Sequence, residues 1–363
     1  MGFPNAICSD LRVVELASVL AGPAVGMFFA ELGAQVIKVE NKTTGGDVTR
    51  NWRMPSERPD IPLPAYYHSV NWGKESLLLD LTDPTDAIRV RELIAGADVL
   101  ITNFTRKKAE KLGVDYPSIQ ALKPDIIHVN LTAYGENDER PGFDAALQAE
   151  TGFLYLCGEP DRPPVKMPVA LIDILAAHQM KEGVLLALLE KMRYGRGAYI
   201  TVSLFDAAIA ALANQASNWL NTHCIPQRMG NQHPNIAPYG DLYVCSDRQW
   251  LLLAVGTEKQ FEQLCAVLGM PELPQDARFA RNGVRVIHRE ALNSLLGGAI
   301  AQNSRDYWMS RLQEVGVPVA LPRDMSEVFA LPATERLVLR QTEADGSLSA
   351  RVRTAIFEIN PQL

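Results

Sequence analysis

The sequence predicts an α/β protein, with a largely parallel sheet covered on both faces by helices and a smaller second domain. Over residues 1–130, β-rich runs alternate with stretches of helical periodicity, the pattern of strands joined by crossover helices. Between residues 224 and 239 the chain is marked by Pro226, Gly230, Pro234 and Pro238, a cluster of turn signals that separates two folded regions. A chain of 363 residues also exceeds one ordinary core, so length alone favours about two domains.

Residues 11–16 (LRVVEL) form the first strand, and the AGP turn at 21–23 leads into a helix. Gly22 permits the tight turn and Pro23 suits a first helical position. Residues 35–39 are the second strand, ending at Glu40; 76–81, 98–102 and 125–131 are the third, fourth and fifth, with helices over 85–95 and 117–122 between them. The proline-rich run GEPDRPPVKMP at 158–168 is loop. A long helix spans 168–197, where Ile174, Leu175, Met180, Val184, Leu185, Leu188 and Leu189 recur at helical spacing. Residues 198–205 read as a strand and 207–220 as a helix. Past the turn cluster, two short strands (242–245 and 250–255) precede several helices, and 336–357 has alternating apolar positions that return it to the first domain. The expected partition is a large domain over 1–222, a small α+β domain over 223–320, and a C-terminal segment, 321–363, rejoining the large domain.

With 47% hydrophobic and 21% charged residues, the composition is that of an ordinary globular protein. A net charge of -7 disfavours nucleic acid as the main partner. It leaves room for a small anion, because Lys42, Arg50, Arg53 and the run Arg106, Lys107, Lys108 offer local positive charge, although such runs are more often a solvated face. The five cysteines show no CxxC spacing, so neither a disulfide frame nor a metal site is expected. The stretch MGFPNAICSDLRVVELA lacks a charged n-region followed by an apolar h-region, and no apolar run reaches about 18 residues, so a cytoplasmic, non-membrane protein is expected.

A parallel sheet binds ligands at the carboxyl ends of its strands, which gathers residues 18–23, 40–47, 71–74 and 103–111 around one crevice. Glu40 resembles the ribose-binding acid of dinucleotide folds, yet LAGPAVG is not GxGxxG, so a nicotinamide enzyme is disfavoured. Asp173 opens the long helix and carries two compatible readings. As an N-cap it would stabilise the helix by about 1 kcal/mol. As a nucleophile it would be held ionised by the helix N-terminus, with the small Ala176 and Ala177 leaving room for a bulky partner.

The segments LRVVELASVLAGPAVGMFFAELGAQVIKVE, NWGKESLLLDL, DVLITNF and LKPDIIHVNLTAYG, the Asp173 helix followed by GRG, and HPNIAPYGDLYVCSD together resemble the family III CoA-transferases, the CaiB/BaiF group, in the right order over most of the chain. The resemblance implies a Rossmann-like large domain, a small domain, and a homodimer whose chains interlock like linked rings. It implies coenzyme A as an acyl-CoA substrate, a small carboxylic acid as the partner substrate, and no metal. Carried over by position, Asp173 falls on the aspartate that forms acyl-aspartyl intermediates. Ser18, Val19 and Ala21 match the turn beside the pantetheine arm; Asn71, Lys74, Asn103 and Phe104 match segments near the adenosine part. Lys111 stands where the family often has arginine, and Lys42 is a substitute for the arginine replaced by Asn41. Leu20 stands where formyl-CoA:oxalate members have glutamine, which disfavours oxalate.

The similar α-methylacyl-CoA racemases need a histidine at the second residue of GFD, and here that is Phe143, which accepts no proton. Among His128, His178 and His233, His178 lies roughly 140° around the helix from Asp173. The resemblance therefore implies acyl transfer through Asp173 in a dry site lined by residues such as Leu20, Phe143 and Met180. A racemase and a non-catalytic CoA-binding protein are the alternatives. The acids remain open at this level, a dicarboxylate such as succinate being the favoured donor.

Overall fold

The computed structural model describes residues 7–343, 346–357 and 359. The chain divides into two compact units, the first from the described residues of Met1–Thr151, Met167–Ala213 and Pro332–Leu363, the second from Gly152–Lys166 and Asn214–Leu331. These bounds differ from the expected partition at 222 and 320. Residues 152–166 join the second unit through pairings distant in sequence: Tyr155 Oη donates to Gln227 Oε1 at 2.8 Å, Arg228 Nη1 to the Tyr155 carbonyl at 3.1 Å, and the Gly230 amide to the Gly158 carbonyl at 3.0 Å.

In the first unit the elements run β1 (Arg12–Glu15), α1 (Ala21–Glu31), β2 (Gln35–Asn41), α2 (Ala65–His68), β3 (Lys74–Leu79), α3 (Pro84–Ala95), β4 (Val99–Thr102), α4 (Arg106–Leu112), α5 (Tyr116–Leu122), β5 (Ile127–Thr132) and α6 (Asp144–Glu150). After α7 (Phe153–Leu156), which belongs to the second unit, come α8 (Leu171–Tyr194), β6 (Ala198–Ser203) and α9 (Leu204–Ala210). The six strands form one parallel sheet in the order β3-β2-β1-β4-β5-β6. The order reverses between β1 and β4, the switch point at which open α/β sheets leave a crevice.

Strand period puts successive side chains on opposite faces. Val14, Leu16 and Leu100 pack with Val90 and Ile94 of α3 and Ile119 of α5. On the other face α1 packs on α8, and α8 on β5 and β6. Two glycines let α1 settle there: a Cβ on Gly22 would stand 2.4 Å from that of Ala17, and one on Gly26 2.0 Å from Glu15 Oε2.

Local capping explains the departures from the expected elements. The strand expected over 198–205 stops at Ser203, whose Oγ accepts from the Asp206 amide at 2.9 Å and caps α9. The helix expected over 207–220 is two, α9 and α10 (Ala213–Thr222), broken before Ala213 at φ 46.

The second unit holds the antiparallel sheet of β7 (Tyr239–Val244), β8 (Trp250–Ala254) and β9 (Val319–Ala320). Its core joins Tyr243, Leu251 and Leu253 to Phe261 and Leu264 of α11 (Glu258–Val267), Leu296 of α13 (Arg289–Ile300) and Trp308 of α14 (Arg305–Glu314), with the short α12 (Asn282–Ile287) leading into α13. Thr257 and Gln260 close a capping box on α11. Two short helices follow, α15 (Met325–Phe329) and α16 (Pro332–Glu335), the second returning to the first unit. There the hairpin of β10 (Val338–Thr342) and β11 (Leu348–Val352) leads to Thr354 and Ala355, whose amides donate to the Glu31 carboxylate at 2.8 to 2.9 Å. Among the described residues no helix is long and apolar enough to cross a membrane, and no cluster of metal-ligating side chains occurs.

Candidate active site

The crevice at the switch point contains a cleft of about 310 Å³, entirely within the first unit. Residues 18–21, after β1, form one wall. Asn103, Phe104, Arg106 and Lys108, after β4, form the second. Thr132 and the loop ending at Phe143, after β5, form the third, with Asp173 of α8 and Leu204 completing the lining. A neighbouring cavity of about 360 Å³, bordered by Asn41, Thr44, Gly46 and Val48, shares Ser18, Phe104 and Lys108 with the first. The two cavities lie side by side on these shared residues, one reaching Asp173 and the other the end of β2.

Asp173 is the third residue of α8, not its cap. The N-cap position is Ala170, which makes no side-chain bond, and Asp144 of α6 takes over the role by accepting the Ile172 amide on Oδ1 at 2.7 Å. Asp144 is itself held by Gln148 Nε2, which donates to Oδ2 at 2.6 Å. Asp173 is 9% exposed, and among the described residues its carboxylate accepts no hydrogen bond. Burial, and then the charge of Asp144, raise its pKa from 3.8 to about 7. The expectation that the helix end holds it ionised is therefore corrected. A helix terminus supplies about 0.3–1 kcal/mol, whereas desolvation and a like charge move a buried carboxyl by several times that. Ala176 and Ala177 leave no approach either: both are buried, at 0% and 1% exposure, on the side of α8 that packs in the core.

The wall opposite is a strained turn. Val19 has φ 75, a left-handed conformation that a β-branched residue adopts at a cost of about 1–3 kcal/mol. It is tied from three sides. Asn103 accepts the Ser18 amide at 3.3 Å and donates Nδ2 to the Ser18 carbonyl at 3.0 Å. Asp47 accepts the Val19 amide at 3.2 Å. Lys38, fully buried, donates to the Ala17 carbonyl at 2.8 Å, to Glu15 at 2.8 Å, and pairs with Asp47 at 3.1 Å.

The structure thus brings Asp173, Ser18, Val19, Ala21, Asn103 and Phe104 to one cleft. Four other expected binding residues lie elsewhere. Lys74 is buried with Nζ on Glu15, the Pro23 carbonyl and Asn71 Oδ1 at 2.8, 2.8 and 3.1 Å, and burial pulls it down to about 8 despite Glu15. Asn71, donating its amide to the Tyr67 carbonyl at 2.8 Å, is bound into the same core. Both have their hydrogen bonds satisfied internally. Lys42 is exposed and pairs with Asp86 at 3.8 Å, and Lys111 is exposed on α4; neither borders either cavity.

The cation that does border both is Lys108, whose Nζ sits 4.8 Å from the Phe104 ring centroid. Its sequence signal was the basic run Arg106, Lys107, Lys108, which did not distinguish the three; Phe104 precedes α4. Asp144 was the residue missed, although it closes the GFD motif.

Glu40 offers nothing to a ribose. It accepts from Arg50 Nε at 2.6 Å, Tyr67 Oη at 2.7 Å, the Asp47 amide at 2.6 Å and Ser76. Against burial, these bonds hold it at about 2. Leu20 and Phe143 line the cleft, and Met180 is plain core at 0% exposure. His128 is buried with Nε2 2.9 Å from Thr102 Oγ1, and burial lowers it to about 4; it is a core histidine outside the cleft.

The profile of the family described as CoA-transferase family III matches residues 8–360. The chain is 39% identical over 358 residues to a protein of Agrobacterium fabrum named succinate–glutarate CoA-transferase, covering 96% of this chain and 88% of that one. It is 32% identical over 335 residues to an acetyl-CoA:oxalate CoA-transferase of Acetobacter aceti, covering 91% and 84%. The crystal structure of a CaiB/BaiF family protein from Brucella suis superposes with a TM-score of 0.83 at 39% identity, covering 97% of this chain and 93% of that one.

Proposed function

This chain belongs to the family III CoA-transferases and is an enzyme of that class, and from that premise we propose that it moves coenzyme A between an acyl-CoA thioester and a small carboxylic acid by way of Asp173. The observation that carries the proposal is a nine-tenths-buried carboxylate, free of hydrogen bonds among the described residues, on the wall of a cleft that shares three lining residues with a second cavity.

A thioester carbonyl suits attack by a carboxylate because its leaving thiolate is a weak base, with a thiol pKa of about 8.5. Asp173 in its ionised form adds through Oδ to that carbonyl. The C–S bond breaks, leaving an acyl-aspartyl anhydride and a thiolate. The thiolate then attacks the aspartyl carbonyl, the acid departs as a carboxylate, and Asp173 is left as a thioester. An incoming carboxylate runs the two steps in reverse, restoring the Asp173 carboxylate and carrying away the thioester. No water enters the balance, so the activated group is preserved where solvent is kept away; the burial of Asp173 itself supports this, whereas Phe143 on the cleft wall is 60% exposed and does not close the site. Poising Asp173 near neutrality also favours it, since a carboxylate stripped of hydrogen bonds is a stronger nucleophile than a solvated one.

Fit to the substrate is supported by the order of features along the cavities. Phe104 offers a ring and Lys108 a cation with no carboxylate partner among the described residues, at the junction where a thioester arm leaving Asp173 reaches an anionic nucleotide. The succinate and glutarate named for the Agrobacterium relative make these the first acids to test. Phe143, bordering the cleft where a racemase needs its base, favours transfer over racemisation.

The chain is proposed to act as a homodimer. Support comes from the second half of α8, where Leu186, Leu189 and Met192 stand 65%, 51% and 83% exposed, more apolar surface than an isolated chain usually leaves uncovered.

The test is mass spectrometry of the peptide containing Asp173 after incubation with succinyl-CoA, glutaryl-CoA or acetyl-CoA, with glutarate, succinate or oxalate as acceptor. An adduct on Asp173, and loss of transfer in Asp173→Ala, are expected. Full transfer by Asp173→Ala would refute the mechanism.

A further inference from the structure

The turn at residues 18–21 adopts a conformation its own sequence resists, and the residues that hold it there are buried ions, two unfavourable choices at one place. Val19 is β-branched and left-handed at φ 75. Such outliers persist only where surroundings over-determine them, and they gather at functional sites. Here the surroundings are Asp47 and Lys38. Asp47 is 4% exposed and spends its carboxylate on three partners: the Val19 amide at 3.2 Å, the Thr49 amide at 3.0 Å and Lys38 at 3.1 Å. Its own amide is anchored on Glu40 at 2.6 Å. Lys38 lies beneath the preceding residue, holding the Ala17 carbonyl at 2.8 Å. Ion pairs buried this deeply rarely repay their desolvation, so stability alone gives little reason for this one. Neither Lys38 nor Asp173 borders the cavity next to Asp47, and neither Lys38 nor Asp47 borders the Asp173 cleft.

We propose that Asp47, backed by Lys38, is a positioning residue for CoA transfer: it holds Val19 left-handed so that residues 18–21 form the wall facing Asp173. The inference rests on the transfer mechanism above. Its logic is that Val19 released from Asp47 relaxes toward negative φ, carrying Leu20 and Ala21 out of register with the nucleophile, and a misplacement of about 1 Å at a reacting centre costs orders of magnitude in rate.

The test is a double-mutant cycle between Asp47→Ala, which removes the acceptor of the Val19 amide, and Val19→Gly. Glycine takes φ 75 without strain, so a turn carrying it needs no brace. Asp47→Ala is expected to lower kcat by roughly tenfold or more in the Val19 background and by less than about twofold in the Val19→Gly background, with KM for acyl-CoA moving far less than kcat. The same factor in both backgrounds, or no effect in either, overturns the proposal, because a residue serving only to balance core charge costs the same whichever residue occupies position 19.

If Asp47→Ala does not fold, Lys38→Met/Asp47→Ala replaces it in the same cycle. That variant removes both members of the pair and leaves Glu15 matched by Lys74 at 2.8 Å. A readout that needs no turnover separates this inference from the proposed function. Should the wild-type chain transfer no CoA to any acid, the function fails, and amide exchange still tests the brace. The Val19 amide is expected to exchange at least about tenfold faster in Asp47→Ala than in wild type, and unchanged exchange there overturns the brace.

Discussion

Asp173 should be a liability to the fold, and Asp173→Asn should reveal it. The folded-state pKa of about 7 against the ordinary 3.8 corresponds, at about 1.4 kcal/mol per unit, to about 4 kcal/mol of stability. The sign follows from proton counting. Between 3.8 and 7 the folded chain holds a proton that the unfolded chain has released, so stability contributed by this site falls as pH rises through that window. Below the lower value both states are protonated and the penalty vanishes; above the upper value it is fully present. Asparagine carries no such titration. The difference in unfolding free energy between Asp173→Asn and wild type should therefore grow in the variant's favour by about 1.4 kcal/mol per pH unit between about 4 and 7, then level off.

A constant cost from the asparagine amide, about 1–3 kcal/mol if it stays unsatisfied, shifts the whole curve but not its slope. Urea unfolding at pH 4, 5.5, 7 and 8.5 measures it. A difference that is flat with pH, or that moves against the variant as pH rises, would refute the view that Asp173 is buried without adequate partners. The same substitution should abolish transfer, giving a variant that is more stable and inactive.

Three further expectations follow from the site. Asp144→Asn removes the like charge beside Asp173 while keeping an acceptor for the Ile172 amide, so the rise of kcat/KM with pH, centred near 7 in wild type, should move to lower pH; an unmoved profile would exclude Asp144 as a cause. Lys108→Ala should raise KM for acyl-CoA by about two- to fivefold, an effect shrinking in high salt, while Lys111→Ala stays within about twofold; the reverse order in initial-rate kinetics would restore Lys111 as the phosphate contact. Lys74→Met breaks a buried pair and should cost about 3–5 kcal/mol in denaturant unfolding, with KM of the folded fraction nearly unchanged.

Periodicity and turn chemistry were enough to find the parallel sheet, its helices and the crevice, because each rests on residues close in the chain: Val13 and Val14 against Val36 and Ile37, or Gly22 beneath Ala17. Asp173 was singled out as the proposed nucleophile for a different reason, its position within a long ordered resemblance, and its local context pointed to a cap instead. Asp173 near a helix start reads as a cap, whereas the cap is supplied by Asp144 from nearly thirty residues upstream, a tertiary contact with no local trace. Lys74 and Asn71 show the same limit. A lysine near a strand end looks like a phosphate ligand until Glu15 is found beneath it, and nothing in the interval between residues 15 and 74 announces that pairing. Lys108 was within reach as part of the basic run Arg106, Lys107, Lys108, but the other basic residues around it gave no means of choosing. The unit boundaries were missed because residues 152–166 look like linker by composition, and their partners at 227–230 come some seventy positions later.

The interrupted path of the first unit has a consequence for how the protein is made. Its sheet is complete once Ser203 has been synthesised, yet Thr354 and Ala355, which tie down Glu31 at the end of α1, follow only after the whole second unit. At about 5–20 residues per second, the gap between Ala213 and Thr354 lasts roughly 7 to 30 s. Throughout that interval the nascent sheet waits with one end of α1 untied while the whole second unit is threaded out. Premature termination after Leu331 would thus release a chain whose second unit is finished and whose nucleophile-bearing unit is not.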